Sequence, residues 1–397
     1  MRTTRIALVV ASAIGAALGI ACGGGGDRST GIQANGPFSP LNLPSCGAST
    51  ALMTVSPVSY SDLLGWVPLG NLNPPGHLFP TDHQYLYINN PENQSTVRPV
   101  PVVSPGNITV SRVHRTHYSP TNTYDYAIEF ALCDEVRGEF GHVTTLAVDL
   151  LAEVGAFDQQ CSSYGLGVGD AVFTNCYTKP IAVTRAAGQP IGTSGGQGTS
   201  FALDFTLRDS RRPPLAYANQ ARWQSGQAQI VYTAPASDYF AEPARSEIRA
   251  RLGAFNGSSK RTAEPVGGTI AYDVPGALRG VWFNPASPMF PEAPHVAFVP
   301  DAVDPARLII SMGISQPGYP SGLYPYMARA DGRVNRDPSS VTADGNIYCF
   351  EFAPWPGVLL LRLESATSLR VEGRSGYTTC TAQEPWTFTA SAFVYVR

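Results

Sequence analysis

Lysine is almost missing from this chain: Lys179 and Lys260 are the two in 397 residues. Charged side chains of all kinds make up 14%, the formal net charge is −3, and no cluster of basic residues occurs. That argues against nucleic acid as a partner. No Cys-x-x-Cys is present, which argues against a cysteine-held structural zinc. Serine-nucleophile motifs, phosphate-cradling glycine loops and nucleotide signatures are missing as well. The main uncharged apolar run, Ile6 to Ile20, falls short of the ~20 residues a permanent membrane helix needs. Turn formers and apolar residues are plentiful instead. With 39 Gly, 34 Pro and 43% hydrophobic residues, the chain suits many short strands around buried cores. Its length suits two domains.

The N-terminus reads as a targeting segment. Arg2 and Arg5 precede the apolar run, which ends Leu18-Gly19-Ile20-Ala21-Cys22 before four glycines. This resembles a bacterial lipoprotein signal, in which Cys22 becomes the lipidated first residue; an ordinary secretory signal cut near Ala21 is the alternative. Both readings export the protein, and the first ties it to a membrane through the lipid alone. Six further cysteines remain, an even number that in an exported chain reads as up to three disulfides. Proximity favours Cys161–Cys176 and Cys349–Cys380, leaving Cys46–Cys133 to tie down the N-terminal arm.

We divide the chain into a signal (1–22), a Gly-, Ser- and Pro-rich tether (23–53), a first domain (54–255) and a second (256–397), with the break at the turn-rich Asn256-Gly-Ser-Ser-Lys260. The expected fold class is mainly β. In the first domain Tyr85–Ile88, Ile108–Val110, Tyr126–Phe130 and Gln229–Tyr232 read as strands, Val143–Val154 as a helix, and Ser246–Leu252 as a short closing helix. In the second, six strand-like runs beginning at Gly268–Tyr272 suggest an antiparallel barrel or sandwich.

Five segments occur in an informative order. These are Gly76-His77-Leu-Phe-Pro-Thr-Asp82-His83, Pro101 to Val110, Phe140-Gly141-His142, Gly188 to Gly196, and Ala202-Leu203-Asp204-Phe205. In that order they resemble the lysostaphin/LytM-type zinc endopeptidases, which cut peptide cross-links in bacterial cell walls. The resemblance implies a β-sheet sandwich with a groove, over roughly Leu72 to Asp209. It implies a single zinc held by His77, Asp82 and Asp204, with His142 as the catalytic-type histidine. Three departures stand out: His77 and Asp82 are one residue further apart than in the family, Ala202 replaces a catalytic histidine, and Asp204 stands where the family has a histidine as third zinc ligand. His83 stands beside Asp82 as a substitute, although neighbours on a strand face opposite ways. Asp204 has a second reading, as the partner of Arg208.

The departures lead to the expectation of a degenerate member. It would bind peptidoglycan peptides or regulate an envelope hydrolase, with zinc as a conditional cofactor. The alternatives are an active zinc endopeptidase and a structural surface lipoprotein. Among the other residues weighed, His114 and His117 read as a loop pair, His295 as a strand-edge residue, and Tyr319, Tyr324 and Tyr326 as either an aromatic surface or core.

Overall fold

A computed structural model describes residues 38–93, 98–165, 172–197, 200–314, 319–352 and 357–397. The signal segment, Cys22 and the tether up to residue 37 lie outside these residues. The protein is mainly β, and the described residues form three antiparallel sheets, none closed into a barrel. Among the described residues no helix is long and apolar enough to cross a membrane.

The largest sheet has eleven strands. These are β1 (Gly65–Val67), β2 (His83–Tyr87), β3 (Val100–Val103), β4 (Ile108–Tyr118), β5 (Thr123–Ala131), β6 (Val136–Leu146), β7 (Gln159–Gly165), β8 (Val172–Tyr177), β9 (Val183–Arg185), β10 (Pro190–Ser194) and β11 (Ala202–Asp209). They run in the order β1-β2-β11-β6-β5-β4-β8-β7, with β10 joining β3 to β6 and β9 beside β4. One face is apolar: Leu86, Ile128, Phe130, Phe140, Leu203, Phe205 and Leu207 are buried in a common core. Period-two alternation sends their sequence neighbours to the opposite face, which is where the polar residues gather.

Two four-stranded sheets follow. The first holds β12 (Gly280–Trp282), β13 (Val296–Pro300), β14 (Leu308–Met312) and β15 (Gly322–Tyr326). The second holds β16 (Tyr348–Glu351), β17 (Gly357–Ser365), β18 (Ser368–Ser375) and β19 (Phe393–Val396). They share one core, in which Phe298, Ile310 and Tyr324 meet Phe350, Leu359, Leu361 and Tyr395. The alternate residues Val281, Ala297, Val299 and Ile309 pack the other way, against Leu69, Leu72, Leu78, Phe79 and Trp223. Strands β13 and β14 are therefore buried on both faces, which is why they are apolar except at Ser311. The chain turns at 255–256, and packing is continuous across that turn.

Among the described residues there are three short α-helices, α1 (Val148–Val154), α2 (Gln220–Gln227) and α3 (Ala244–Arg249). The helix expected from Val143 begins only at Val148. Residues 143–146 extend β6 instead, because their β-branched run pairs with β10, Ser194 opposite Val143 and Gly192 opposite Leu146. Val148 and Leu151 of this helix are exposed, while Leu150 and Val154 are buried. Ile230–Tyr232 forms a 3-10 turn where a strand was expected, closed by Tyr232 N–H donating to the Gln229 carbonyl. Gly268–Tyr272 is irregular, not a strand. His114 and His117 lie in β4, not in a loop, and part company there. His114 stacks on Tyr177 and His117 lies against Tyr124. Tyr319, Tyr324 and Tyr326 are core residues, each under 10% exposed.

The disulfides are Cys46–Cys133, Cys161–Cys176 and Cys349–Cys380, as expected from the sequence. They indicate an oxidising, extracytoplasmic compartment.

Candidate metal centre

The polar face of the large sheet concentrates histidines and carboxylates where β2, β11 and β6 lie side by side. On β11, Leu203, Phe205 and Leu207 enter the core, so Ala202, Asp204, Thr206 and Arg208 share the other face. On β2 the same alternation puts His83, Tyr85 and Tyr87 on that face. The register sets Asp204 opposite Tyr85 on β2 and opposite Gly141 on β6, with Thr206 opposite His83. Asp204 and His83 are thus diagonal neighbours, within side-chain reach.

His142 arrives by a different device. Simple alternation from buried Phe140 would send its ring into the core. The β5–β6 register slips here, Ile128 pairing with Phe140 but Tyr126 with Val143, so one residue of β5 faces Gly141 and His142 together. This bulge keeps both Phe140 and Val143 in the core and turns His142 to the polar face. His142 adopts a left-handed backbone, φ +59°, a conformation that is costly outside glycine and clusters at functional sites. The Ser194 hydroxyl donates to its carbonyl at 2.6 Å and holds the bulge.

The side chains then converge. Nε2 of His83 and Nε2 of His142 each lie 3.5 Å from Oδ2 of Asp204. Their other ring nitrogens are occupied by carboxylates: Nδ1 of His142 is 2.6 Å from Asp125 Oδ2, and Nδ1 of His83 is 3.2 Å from Asp82 Oδ1. The second Asp82 oxygen accepts from Arg208 at 2.8 Å. Arg208 therefore pairs with Asp82 and not with Asp204. His77 sits on the preceding loop, pinned by reciprocal backbone bonds with Asn73, its ring 5.4 Å from that of His83. Tyr85 lies against both rings, 4.6 Å from His83 and 6.5 Å from His77.

Electrostatics follow from this crowding. Burial, with His83 adding to it, lowers the His77 pKa to about 4, so the ring is neutral at pH 7. Burial also works to lower His83, but the Asp204 and Asp82 carboxylates outweigh it and the net shift is upward. For Asp82, burial works to raise the carboxyl. The hydrogen bonds and charges of His83 and Arg208 override that and hold it well below its usual range. Burial and the nearby Asp204 push Tyr87 up to about 12.

No family model, curated protein or solved structure matches the chain.

Of the residues singled out in the sequence, the structure brings His77, His142 and Asp204 to one place. Asp82 is there too, but both its oxygens are committed to His83 and Arg208. His83, considered only as a substitute, presents Nε2 to Asp204, because β2 starts at His83 and Asp82 stands just outside the strand. Asp125 was missed altogether: it is 17 residues from His142 in sequence, and only the β5–β6 pairing joins them.

Two buried atoms in this cluster, His83 Nε2 and Asp204 Oδ1, have no hydrogen-bond partner among the described residues. A separation of 3.5 Å is too long for a good hydrogen bond. It does match the spacing of adjacent ligand atoms around a tetrahedral ion with ~2.1 Å bonds, about 3.4 Å. The donor set suits a divalent metal, but the two imidazole nitrogens stand more than 4.8 Å from one another, so they would have to draw together to share one ion with Asp204. Among the described residues, the one set of three ligand atoms all within 4.8 Å of one another is Cys46, Cys133 and Glu135, which contains a disulfide and so offers no thiolate.

Proposed function

We propose that His83, His142 and Asp204 hold one divalent metal ion, zinc by their chemistry, and that the protein is an exported hydrolase of the cell envelope. The observation that carries this is the convergence of two imidazole nitrogens on one carboxylate oxygen, each ring backed by a further carboxylate. Paired carboxylate–histidine–metal arrangements orient the ligand rings and raise their basicity. Three protein ligands leave room for water or substrate, and zinc held there supplies a Lewis acid that polarises a scissile carbonyl.

The chain's own residues have separable roles. Asp82 and Asp125 fix Nδ1 of their histidines as the protonated nitrogen, leaving Nε2 as the donor atom. Arg208 holds Asp82 in place. Neutral His77 stands beside the ligands, suited to hydrogen-bonding a water or entering the coordination shell. The Tyr87 phenol, kept protonated near Asp204, is suited to donating a hydrogen bond to developing negative charge.

The substrate class rests on the resemblance to lysostaphin/LytM-type endopeptidases, hence peptide cross-links of peptidoglycan, with Cys22 as lipid anchor. Support comes from topology. The early, middle and late motif segments lie on or beside three adjacent strands, β2, β6 and β11. A second reading, a non-catalytic domain that binds wall peptides or regulates an envelope hydrolase, is favoured by Ala202. Its methyl is buried against Val67 and Tyr85 where the resembling family has a catalytic histidine.

Incubation of the full chain with cross-linked peptidoglycan separates these readings. Release of peptides that stops with a chelator and in Asp204→Ala supports the endopeptidase. Binding without release supports the second reading. Neither binding nor release would leave only a structural role.

A further inference from the structure

The loop that carries His77 and leads into His83 is gripped from the far side by residues of the C-terminal half. Phe79 is 2% exposed. Its ring stacks on His295 at 5.4 Å and 12°, and meets Trp223, Phe283 and Phe290 edge-on at 5.5, 5.6 and 6.2 Å. His295, expected to be an ordinary strand-edge residue, is fully buried and fixed in one orientation. Its Nδ1 accepts the Asn284 N–H at 3.0 Å, and its Nε2 lies 3.0 and 3.1 Å from the carbonyls of Pro288 and Met289. Beside this platform, Glu292 accepts the backbone N–H of Phe79 at 2.6 Å and also bonds that of Leu78. These are the two residues directly after His77. On its other side the loop is tied to the large sheet by Asp82 and Arg208.

We infer that Glu292 is a positioning residue for the metal centre. By holding the Leu78 and Phe79 amides it sets where His77 and the start of β2 stand relative to Asp204, so the C-terminal half completes a site whose ligands all belong to the N-terminal half. The inference rests on the metal-centre reading. It gives the second half of the chain a direct role at the site. When the turn before β13 is displaced, the loop loses its backbone anchors on that side, and the ligand set loosens without losing a ligand. A carbonyl oxygen at position 292 still accepts an N–H, so glutamine preserves the anchor and leucine removes it.

The test uses the purified full chain with Glu292→Gln, Glu292→Leu and the exposed-site control Glu247→Gln. Two readouts are taken: zinc affinity by chelator competition, and amide exchange of the peptide covering residues 73–82. The expected result is faster exchange of that peptide and at least tenfold weaker zinc binding in Glu292→Leu, with thermal unfolding still cooperative. Glu292→Gln and the control should stay within about threefold of the parent. Faster exchange with unchanged zinc affinity would overturn the positioning role. So would unchanged exchange, and so would equal loss in Glu292→Gln and Glu292→Leu. A parent chain that takes up no zinc would instead overturn the metal-centre reading, and the inference would fall with it, whatever the exchange data showed about the anchor.

Discussion

Gly141 lies opposite Asp204 across the β6–β11 ladder, so close that a methyl group on its α-carbon would stand 3.2 Å from the aspartate Cβ and 3.4 Å from Oδ2. The absent side chain is what lets the carboxylate lie between His83 and His142. Gly141→Ala should push Asp204 off its position by a few tenths of an ångström. We expect roughly tenfold weaker zinc binding, read by chelator competition, with a change in stability of about 1 kcal/mol. Unchanged affinity would mean that the carboxylate's position is not critical.

The carboxylates behind the rings make a second prediction. Asp125→Asn keeps the shape beside His142 but removes the charge, and such changes typically weaken metal binding 10–100-fold. Asp82→Asn should weaken it similarly and, in addition, lower the melting temperature, because Arg208 loses the charge it is paired with. Comparison of the two variants by affinity and by melting separates the orienting role from the ion pair.

A third prediction concerns acid stability, on the core face of the same strand. Asp209 is 1% exposed and bonded to Arg211 and to the Tyr239 hydroxyl, at 2.7 and 2.6 Å. Burial works to raise its carboxyl, but those hydrogen bonds outweigh it and the net shift is downward. A depressed folded-state pKa contributes stability that is present above the unfolded value of about 3.9 and is lost as pH falls through the folded one. Asp209→Asn should therefore cost about 3 kcal/mol at pH 7. The deficit should narrow as the pH drops below about 4, which denaturant melts at pH 7 and pH 3 will show.

Much of the fold was legible from the sequence, and the site was legible in part, for identifiable reasons. Alternation in Tyr85–Ile88 and Tyr126–Phe130 marks strands directly, and cysteine spacing led to the three disulfides. What sequence could not show was where alternation is interrupted. His142 reaches the polar face only through a bulge with a left-handed histidine, a feature that no residue type announces. The choice between Asp82 and His83 turns on where β2 begins, and boundaries are set by pairing with β11 rather than by local preference. Asp125 carries no motif, since its relation to His142 is purely a matter of cross-strand register. Val143–Leu146 illustrates the converse: an apolar pattern compatible with a helix became strand because β10 was there to pair with it. The Glu292 anchor joins positions 213 residues apart, a distance over which no local pattern operates.

If His83, His142 and Asp204 form a metal centre, zinc stoichiometry will show it. Elemental analysis of the full chain purified without chelator, beside His83→Ala and Asp204→Ala, is the measurement. About one zinc per chain is expected in the parent, with a clear loss in both variants. A parent with no zinc and no uptake on titration at neutral pH would contradict it, as would a His83→Ala variant that keeps the full complement.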